Sequence, residues 1–123
     1  MRQWGIDTAL LCRKHLLGEH VECHMALGTL RRGTRVKGYI EKKLLKIGAI
    51  HIRHEQLAKE IERRGMKHNS PMTKKDELLV KKMAETYISN LGTDGKLDIA
   101  GNIEELKKRC KQCNKNILNL LKK

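Results

Sequence analysis

The segment His15–His24, HLLGEHVECH, determines how the rest of the chain is interpreted. Its leucines fall on one side of a helix when residues are placed at ~100° intervals, as an amphipathic helix requires. Glu19 and Glu22 project into the middle of that apolar face. Burying a carboxylate costs several kcal/mol unless it has a partner or accepts a proton. We therefore expect these acids to have a buried ion-pair partner, either His15 or an arginine, or a chemical task.

Helical segments are predicted over most of the chain. Phe is absent and only one Trp and two Tyr occur, so the core must consist of Leu, Ile, Met and Val, which favours helices. The pattern of apolar residues, caps and glycines predicts helices over residues 7–30, a short stretch after 39, 47–65, 73–91 and 102–123. The prediction is an all-α, compact single-domain bundle of four to five helices. Residues 1–72 would form its core, with additional C-terminal helices over 73–123.

No segment resembles a membrane span or a targeting sequence. The longest apolar runs contain only a few residues, far fewer than the ~18 that a spanning helix needs. The first residues lack the layout of a signal peptide. We expect a soluble intracellular protein, located in the cytoplasm or associated with the nucleoid, and no contact with a membrane.

The charge of the chain favours nucleic acid as its partner. Lys and Arg number 27 against 14 Asp and Glu, a net charge of +13. Such an excess favours binding to DNA phosphates, because counterions are released from the DNA when the protein binds. The alternative is a charged surface that only aids solubility or thermal stability. Clustering in residues 31–46, RRGTRVKGYIEKKLLK, favours DNA binding, and the predicted contacts are Lys14, Arg31, Arg32, Arg35 and Lys37.

The four cysteines are predicted to be reduced and structural. Cys110 and Cys113 form a lone CxxC motif inside a helical pattern. Cys12 and Cys23 would be roughly 16 Å apart on a continuous helix. That distance prevents them from sharing a zinc ion, whose bonds to sulfur are ~2.3 Å long. Neither a metal site nor any other cofactor is therefore predicted.

Three histidines and one tryptophan have structural interpretations. His20 and His24 fall on the polar side of the first helix, where they are expected to face solvent or DNA phosphates. His54 lies in the apolar row of the third helix and is expected to be a hydrogen-bonded core residue. Trp4 would either pack against the first helix or wedge into a DNA step.

The first residue of the sequence offers a nucleophile. A model α-amine titrates near ~7.7–8.0 and a lysine near ~10.4, so the terminus has roughly 300-fold more free amine at neutral pH. Such an amine can form a Schiff base without further activation. Because methionine removal generally requires a small second residue, Arg2 favours retention of Met1. The amine would then be that of Met1.

Three segments together resemble a known family. They are MRQW at 1–4, LCRKHLLGEHVE at 11–22 and RHEQLAKEIERRGMKHNSPM at 53–72. These residues resemble the pyrimidine-dimer DNA glycosylase family, which comprises the phage endonuclease V type and short cellular relatives. The resemblance covers residues 1–72, and its core is the pattern H-L-x-x-E-x-x-E. It implies an all-α, metal-free glycosylase with abasic-site lyase activity.

The resemblance also implies a role for each matching residue. The α-amine of Met1 would attack the sugar carbon and form a Schiff base, and Glu22 would assist. Arg2 and His15 would be supporting residues. Glu19, less than one turn from Glu22, is expected to give structural support by anchoring His15 or positioning the N-terminal segment. The implied partner is double-stranded DNA that contains a damaged or abasic site, bound by a monomer, with pyrimidine dimers or related lesions as the substrate.

The sequence departs from the phage enzyme next to the glutamate. Val21 and Met25 occupy positions where that enzyme has arginines that grip the kinked DNA. The resemblance therefore supports lyase chemistry at an abasic site more directly than specificity for a dimer, and it leaves the lesion open.

Two other classes of function remain open at this point. A metal-dependent nuclease would use Glu19, Glu22 and a histidine as ligands, although their spacing suits neither magnesium nor zinc. A non-enzymatic DNA-binding protein would use the basic segment alone. Activity in EDTA would exclude the nuclease, and strand nicking would exclude the binding protein.

Overall fold

The computed structural model describes residues 1–121, which contain six α-helices and two short 3-10 helices but no strand. The α-helices are α1 Arg13–Arg31, α2 Lys37–Glu41, α3 Ile50–Arg63, α4 Lys74–Leu91, α5 Ile99–Arg109 and α6 Lys111–Leu121. The 3-10 helices are Thr8–Leu10 and Ile47–Ala49. The all-α prediction is confirmed, with six helices in place of the four to five expected.

The first predicted helix is divided into two parts. Asp7 caps the 3-10 helix Thr8–Leu10 by accepting a hydrogen bond of 3.0 Å from the amide of Ala9. Leu11 then adopts an extended conformation and is fully buried. α1 begins only after Cys12, whose side chain caps it. The break allows Leu11 to enter the core. The prediction of one continuous helix from Asp7 was therefore wrong at Leu11 and Cys12.

The last predicted helix is also divided. Cys110 has extended backbone angles, φ −135° and ψ 112°, and separates α5 from α6. The bend lets α6 pack against α5, so that Leu106 and Cys113 are both fully buried. The prediction of a single helix was therefore wrong at Cys110. Its expected end near Lys123 lies outside the described residues.

The core lies mainly between α1 and α3. It is aliphatic, as the composition predicts, and its buried members on these helices include Leu16, Leu27, Ile50, Leu57 and Ile61. α4 packs on both helices and contributes Val80 and Ala84. The capping box predicted at the start of α4 is present, with reciprocal hydrogen bonds between Thr73 and Asp76.

The N-terminal segment is anchored by polar contacts. The amide of Gln3 donates to the carbonyl of Leu44 over 2.8 Å, and the Gln3 side chain accepts from the amide of Lys46 over 2.7 Å. The side chain of Asn102 on α5 donates to the carbonyl of Trp4 over 2.8 Å. These contacts limit how far the first two residues can move from the body of the protein.

Along the described part of the chain, every helix is too short or too polar to cross a membrane.

Candidate active site

Glu22 is half-buried on α1 and lies near the start of the chain. Burial raises the pKa of its carboxyl group above the usual range, and the neighbouring charge of Glu19 adds to this rise. The positive α-amine of Met1, with the backbone and side chain of Arg2, opposes the rise. The charges of the amine and of Arg2 therefore act on the glutamate that the sequence analysis singled out.

Arg2 is held against the ring of Trp4. Its guanidinium carbon lies 4.5 Å from the ring centroid, within the range of a cation–π contact. Trp4 itself is only 5% exposed, so it packs inside the protein and is not positioned as a wedge for DNA. The Nε atom of Arg2 is buried and has no hydrogen-bond partner within residues 1–121. Arg2 therefore retains hydrogen-bonding capacity close to Glu22.

Glu19 forms a buried ion pair with Arg53 of α3. The Nε and terminal nitrogens of Arg53 donate to the two carboxylate oxygens of Glu19 over 2.6 and 2.9 Å. The side chains are 0% exposed for Glu19 and 7% exposed for Arg53. Of the partners that the sequence analysis considered, His15 or an arginine, the structure supplies the arginine. Glu19 thereby connects α1 to α3.

His15 faces a group of cysteines. Its Nδ1 atom lies 3.1 Å from the sulfur of Cys12 and 3.7 Å from that of Cys113. The sulfur of Cys110 lies 3.7 Å from that of Cys12. The four donor atoms are all within 4.8 Å of one another, close enough to hold a metal ion. Sequence reasoning missed this group because it compared Cys12 with Cys23 and not with His15, although CxxH spacing at 12–15 was the available signal.

Cys23 lies apart from this group. Its side chain is 1% exposed, and burial raises its pKa to about 12. The thiol is therefore protonated and unreactive at neutral pH. The burial of Cys23 agrees with the prediction that this cysteine is reduced and structural.

Four histidines form a second cluster where α1, α3 and the turn after α3 meet. The Nε2 atoms of His20 and His68 are 2.8 Å apart, and those of His24 and His54 are 3.1 Å apart. The ligand atoms of His20, His54 and His68 also lie within metal-binding distance of one another. The prediction that His20 faces solvent was wrong, because the turn that carries His68 covers this side of α1. His54 is fully buried and hydrogen-bonded, as expected.

The predicted DNA-binding residues are exposed, but they do not form one patch. Lys14 is at the beginning of α1 and Arg31 at its end, roughly 25 Å away along the helix axis. Arg31 also forms an ion pair with the buried Asp76 of α4. Arg32 and Arg35 lie in the exposed segment after α1. Lys37 and Glu41 are 3.7 Å apart and both well exposed, so their ion pair is weak.

The surface beside Glu22 is apolar. Val21 is 54% exposed and Met25 is 53% exposed, each within one helical turn of the glutamate. These are the positions at which the phage enzyme has arginines. Apolar side chains are therefore exposed to solvent next to Glu22 along α1.

The described residues thus combine an all-α scaffold and a large positive charge with a half-buried carboxylate on which the charge of the α-amine acts. A sequence model of the family described as pyrimidine dimer DNA glycosylase matches residues 1–74, more than half of the chain. The chain belongs to this family, and the resemblance inferred from its sequence is confirmed. No curated protein sequence and no solved structure shows a significant match.

Proposed function

We propose that this protein is a DNA glycosylase and abasic-site lyase whose nucleophile is the α-amine of Met1. The observation that supports this most directly is the half-buried position of Glu22 on α1, where the charges of the Met1 amine and of Arg2 oppose the rise in pKa that burial causes. Family membership supports a glycosylase that acts on DNA. The use of the amine, the lyase step and the lesion are the parts that we propose.

In the first step, the lone pair of the Met1 nitrogen forms a bond to C1′ of the damaged nucleotide. The bond between C1′ and the base breaks, and its electrons leave with the base, which takes up a proton. Glu22 stabilises the positive charge that develops on the sugar. Its carboxylate also accepts the proton that the attacking nitrogen loses, and its raised pKa suits it to this task.

In the second step, Glu22 gives the proton that it accepted to the ring oxygen O4′, and the sugar ring opens to an imine between C1′ and Met1. Glu22 is then a carboxylate again. A base removes a proton from C2′, and the electrons of that bond expel the phosphate on C3′, which cleaves the strand. We propose Glu22 as this base, since a carboxylate can take up such a proton. Water then hydrolyses the imine and releases the amine of Met1.

The proposed substrate is double-stranded DNA with a damaged or abasic site, the lesion being a pyrimidine dimer or a related one. The apolar surface formed by Val21 and Met25 would contact the sugar or base next to the site of attack. Arg32 and Arg35 are free of internal ion pairs within residues 1–121 and would contact phosphates. Oligonucleotides that each carry one defined lesion would identify the one that is excised.

Borohydride trapping tests the nucleophile. The protein is mixed with abasic-site duplex in EDTA and treated with borohydride, which reduces the imine to a stable secondary amine. We expect a covalent complex whose linked peptide begins at Met1. A form with extra residues ahead of Met1 should give no complex, and removal of those residues by a protease should restore it. A cross-link on a lysine would contradict the proposal.

A further inference from the structure

We infer that Cys12, His15, Cys110 and Cys113 form a structural zinc site. This site does not depend on the proposed catalytic function. It involves residues on both sides of the boundary at residue 74, where the family match ends. The resemblance to a metal-free family and the sequence interpretation of the cysteines both pointed away from a metal.

The donor atoms have the spacing of a tetrahedral mononuclear site. With Zn–S bonds of ~2.3 Å, the sulfurs at two corners of a tetrahedron are about 3.8 Å apart. The sulfurs of Cys12 and Cys110 are 3.7 Å apart, and the sulfur of Cys113 is 3.7 Å from Nδ1 of His15. No other donor atom is needed, since four protein ligands complete a structural zinc site.

The four ligands come from two matching motifs. Residues 12–15 read CRKH and residues 110–113 read CKQC. Each motif begins a helix: Cys12 precedes α1, and Cys110 precedes α6. In each, the first cysteine accepts a hydrogen bond of 3.4 Å from the amide three residues later. The two ligands of a motif thus lie on the first turn of a helix, where the backbone N–H groups and the helix dipole favour thiolates.

Each of the three sulfurs accepts a backbone hydrogen bond. The amide of His15 donates to Cys12, and that of Cys113 donates to Cys110. The amide of Cys12 crosses between the motifs and donates to the sulfur of Cys113 over 3.1 Å. Such hydrogen bonds orient ligands and stabilise their charge. On binding, the thiols release their protons to solvent, and three thiolates with Zn²⁺ leave a charge of −1 beside Lys14 and Arg109, which both act on His15.

Other uses of these cysteines fit the geometry less well. A disulfide requires sulfurs ~2.05 Å apart, whereas Cys12 and Cys110 are separated by 3.7 Å and all four cysteines are free. A disulfide would also leave His15 without a role. An iron–sulfur cluster places its thiolates around several iron atoms, so it needs them farther apart. Zinc favours a compact tetrahedral set of sulfur and imidazole ligands.

The site explains what the C-terminal helices contribute. Zinc would join the start of α1, which carries Glu22 seven residues after His15, to the start of α6. Asn102 of α5 binds the carbonyl of Trp4, so the same C-terminal unit also contacts the segment that follows Met1. Zinc would therefore hold together the two segments that carry the amine and the glutamate.

Metal content tests the inference without DNA or activity. The chain is produced with Met1 as its first residue, purified without chelators, and its zinc is measured by elemental mass spectrometry and native mass spectrometry. We expect one zinc per chain. After release with a mercurial reagent and reduction, addition of Co²⁺ should give the intense visible bands of a tetrahedral site with sulfur-to-metal charge transfer.

Two variants and one control assign the ligands. The double substitution Cys110→Ala and Cys113→Ala should reduce the zinc content from one per chain to near zero. His15→Cys keeps a ligand at the same position and should retain zinc, with a Co²⁺ spectrum shifted toward a four-sulfur site. Cys23→Ala removes a cysteine outside the group and should retain zinc and the Co²⁺ spectrum unchanged.

The Co²⁺ titration of the unsubstituted protein keeps the test decisive if the double variant fails to fold. A metal-free protein with no tetrahedral Co²⁺ spectrum would overturn the inference. So would a double variant that keeps one zinc per chain, since the metal would then lie on the histidine cluster. A disulfide between Cys12 and Cys110 in peptides mapped without reduction would also overturn it. Borohydride trapping at Met1, carried out both with and without EDTA, is a separate measurement. A complex that forms without EDTA would uphold the proposed function even if the zinc site fails.

Discussion

Glu19 of α1 and Arg53 of α3 form two hydrogen bonds, of 2.6 and 2.9 Å, inside the core. This pair explains how one of the two acids on the apolar face of α1 can be buried. Glu19 is paired with a charge from another helix. Glu22 has no such ion pair within the described residues, and the charge of the amine at the start of the chain opposes the rise in its pKa. The two acids are three residues apart, and their different partners predict different consequences of mutation.

Arg53→Met should mainly destabilise the protein. It leaves the carboxylate of Glu19 buried without a partner, and breaking a buried pair costs about 3–5 kcal/mol. Replacing both residues, Arg53→Met with Glu19→Leu, should recover much of this loss because well-packed apolar residues often substitute for a buried pair. Urea unfolding of the single and double variants measures both effects. Equal stability of the Arg53→Met variant and the parent would contradict this role for the pair.

Glu22→Gln should mainly reduce the rate. The amide keeps the size of the side chain but loses its charge and its ability to take up protons. We expect DNA binding to persist while glycosylase turnover falls by a factor on the order of 10² to 10⁴. Single-turnover cleavage measures the loss. Glu19→Gln is the matched control, and it should lower stability more than the cleavage rate. Full turnover of the Glu22→Gln variant would exclude Glu22 as the acid–base group.

The activity should fall in acid at a higher pH than an ordinary glutamate would cause. Burial raises the pKa of Glu22 above its usual value, so the carboxylate form needed as a base is lost as pH falls through that raised pKa. An unperturbed glutamate titrates near ~4.3. The pH profile of single-turnover cleavage should therefore have an acid limb above that value. Glu22→Gln should lack this limb.

Stability should decrease between neutral pH and about pH 4. Burial, followed by the charges of His54 and His24, lowers the pKa of His20 to about 4, against ~6.5 in the unfolded chain. Between these values the unfolded state binds more protons, so the free energy of unfolding falls as pH is lowered. The contribution of neutral His20 to the free energy of unfolding is complete above pH ~6.5. Urea midpoints from pH 4 to 7 measure it, and His20→Gln should give a smaller slope.

Salt dependence should identify the DNA-binding face. Each phosphate contact contributes ~0.9 to the slope of log affinity against log salt. Replacing Arg32, Arg35 and Lys37 by alanine should reduce the slope by up to about 2.7. The matched control replaces three exposed lysines of the C-terminal helices, Lys108, Lys111 and Lys115. If only the control changes the slope, DNA binds at the C-terminal helices and not at the segment that contains Arg32, Arg35 and Lys37.

Local features were predictable where short-range physics decides them. The apolar periodicity of α3 and the pairing of Thr73 with Asp76 at the start of α4 depend on residues within one or two turns. The breaks at Leu11 and Cys110 were not predictable in the same way. Both allow a side chain to enter a core whose other walls are distant in sequence, and no residue there is a proline or glycine that would signal a break.

The sequence by itself determined the helical class and the excess of positive charge, because composition and periodicity are local properties. The candidate pair of Met1 and Glu22 came from the resemblance to the glycosylase family. Only the tertiary structure decided that Arg53, and not His15, is the partner of Glu19. It also placed His15 with Cys110 and Cys113, about 95 residues away, and buried His20 beneath the turn that carries His68. Which side chains meet across such separations depends on how the helices pack, and no pattern within a single helix encodes that packing.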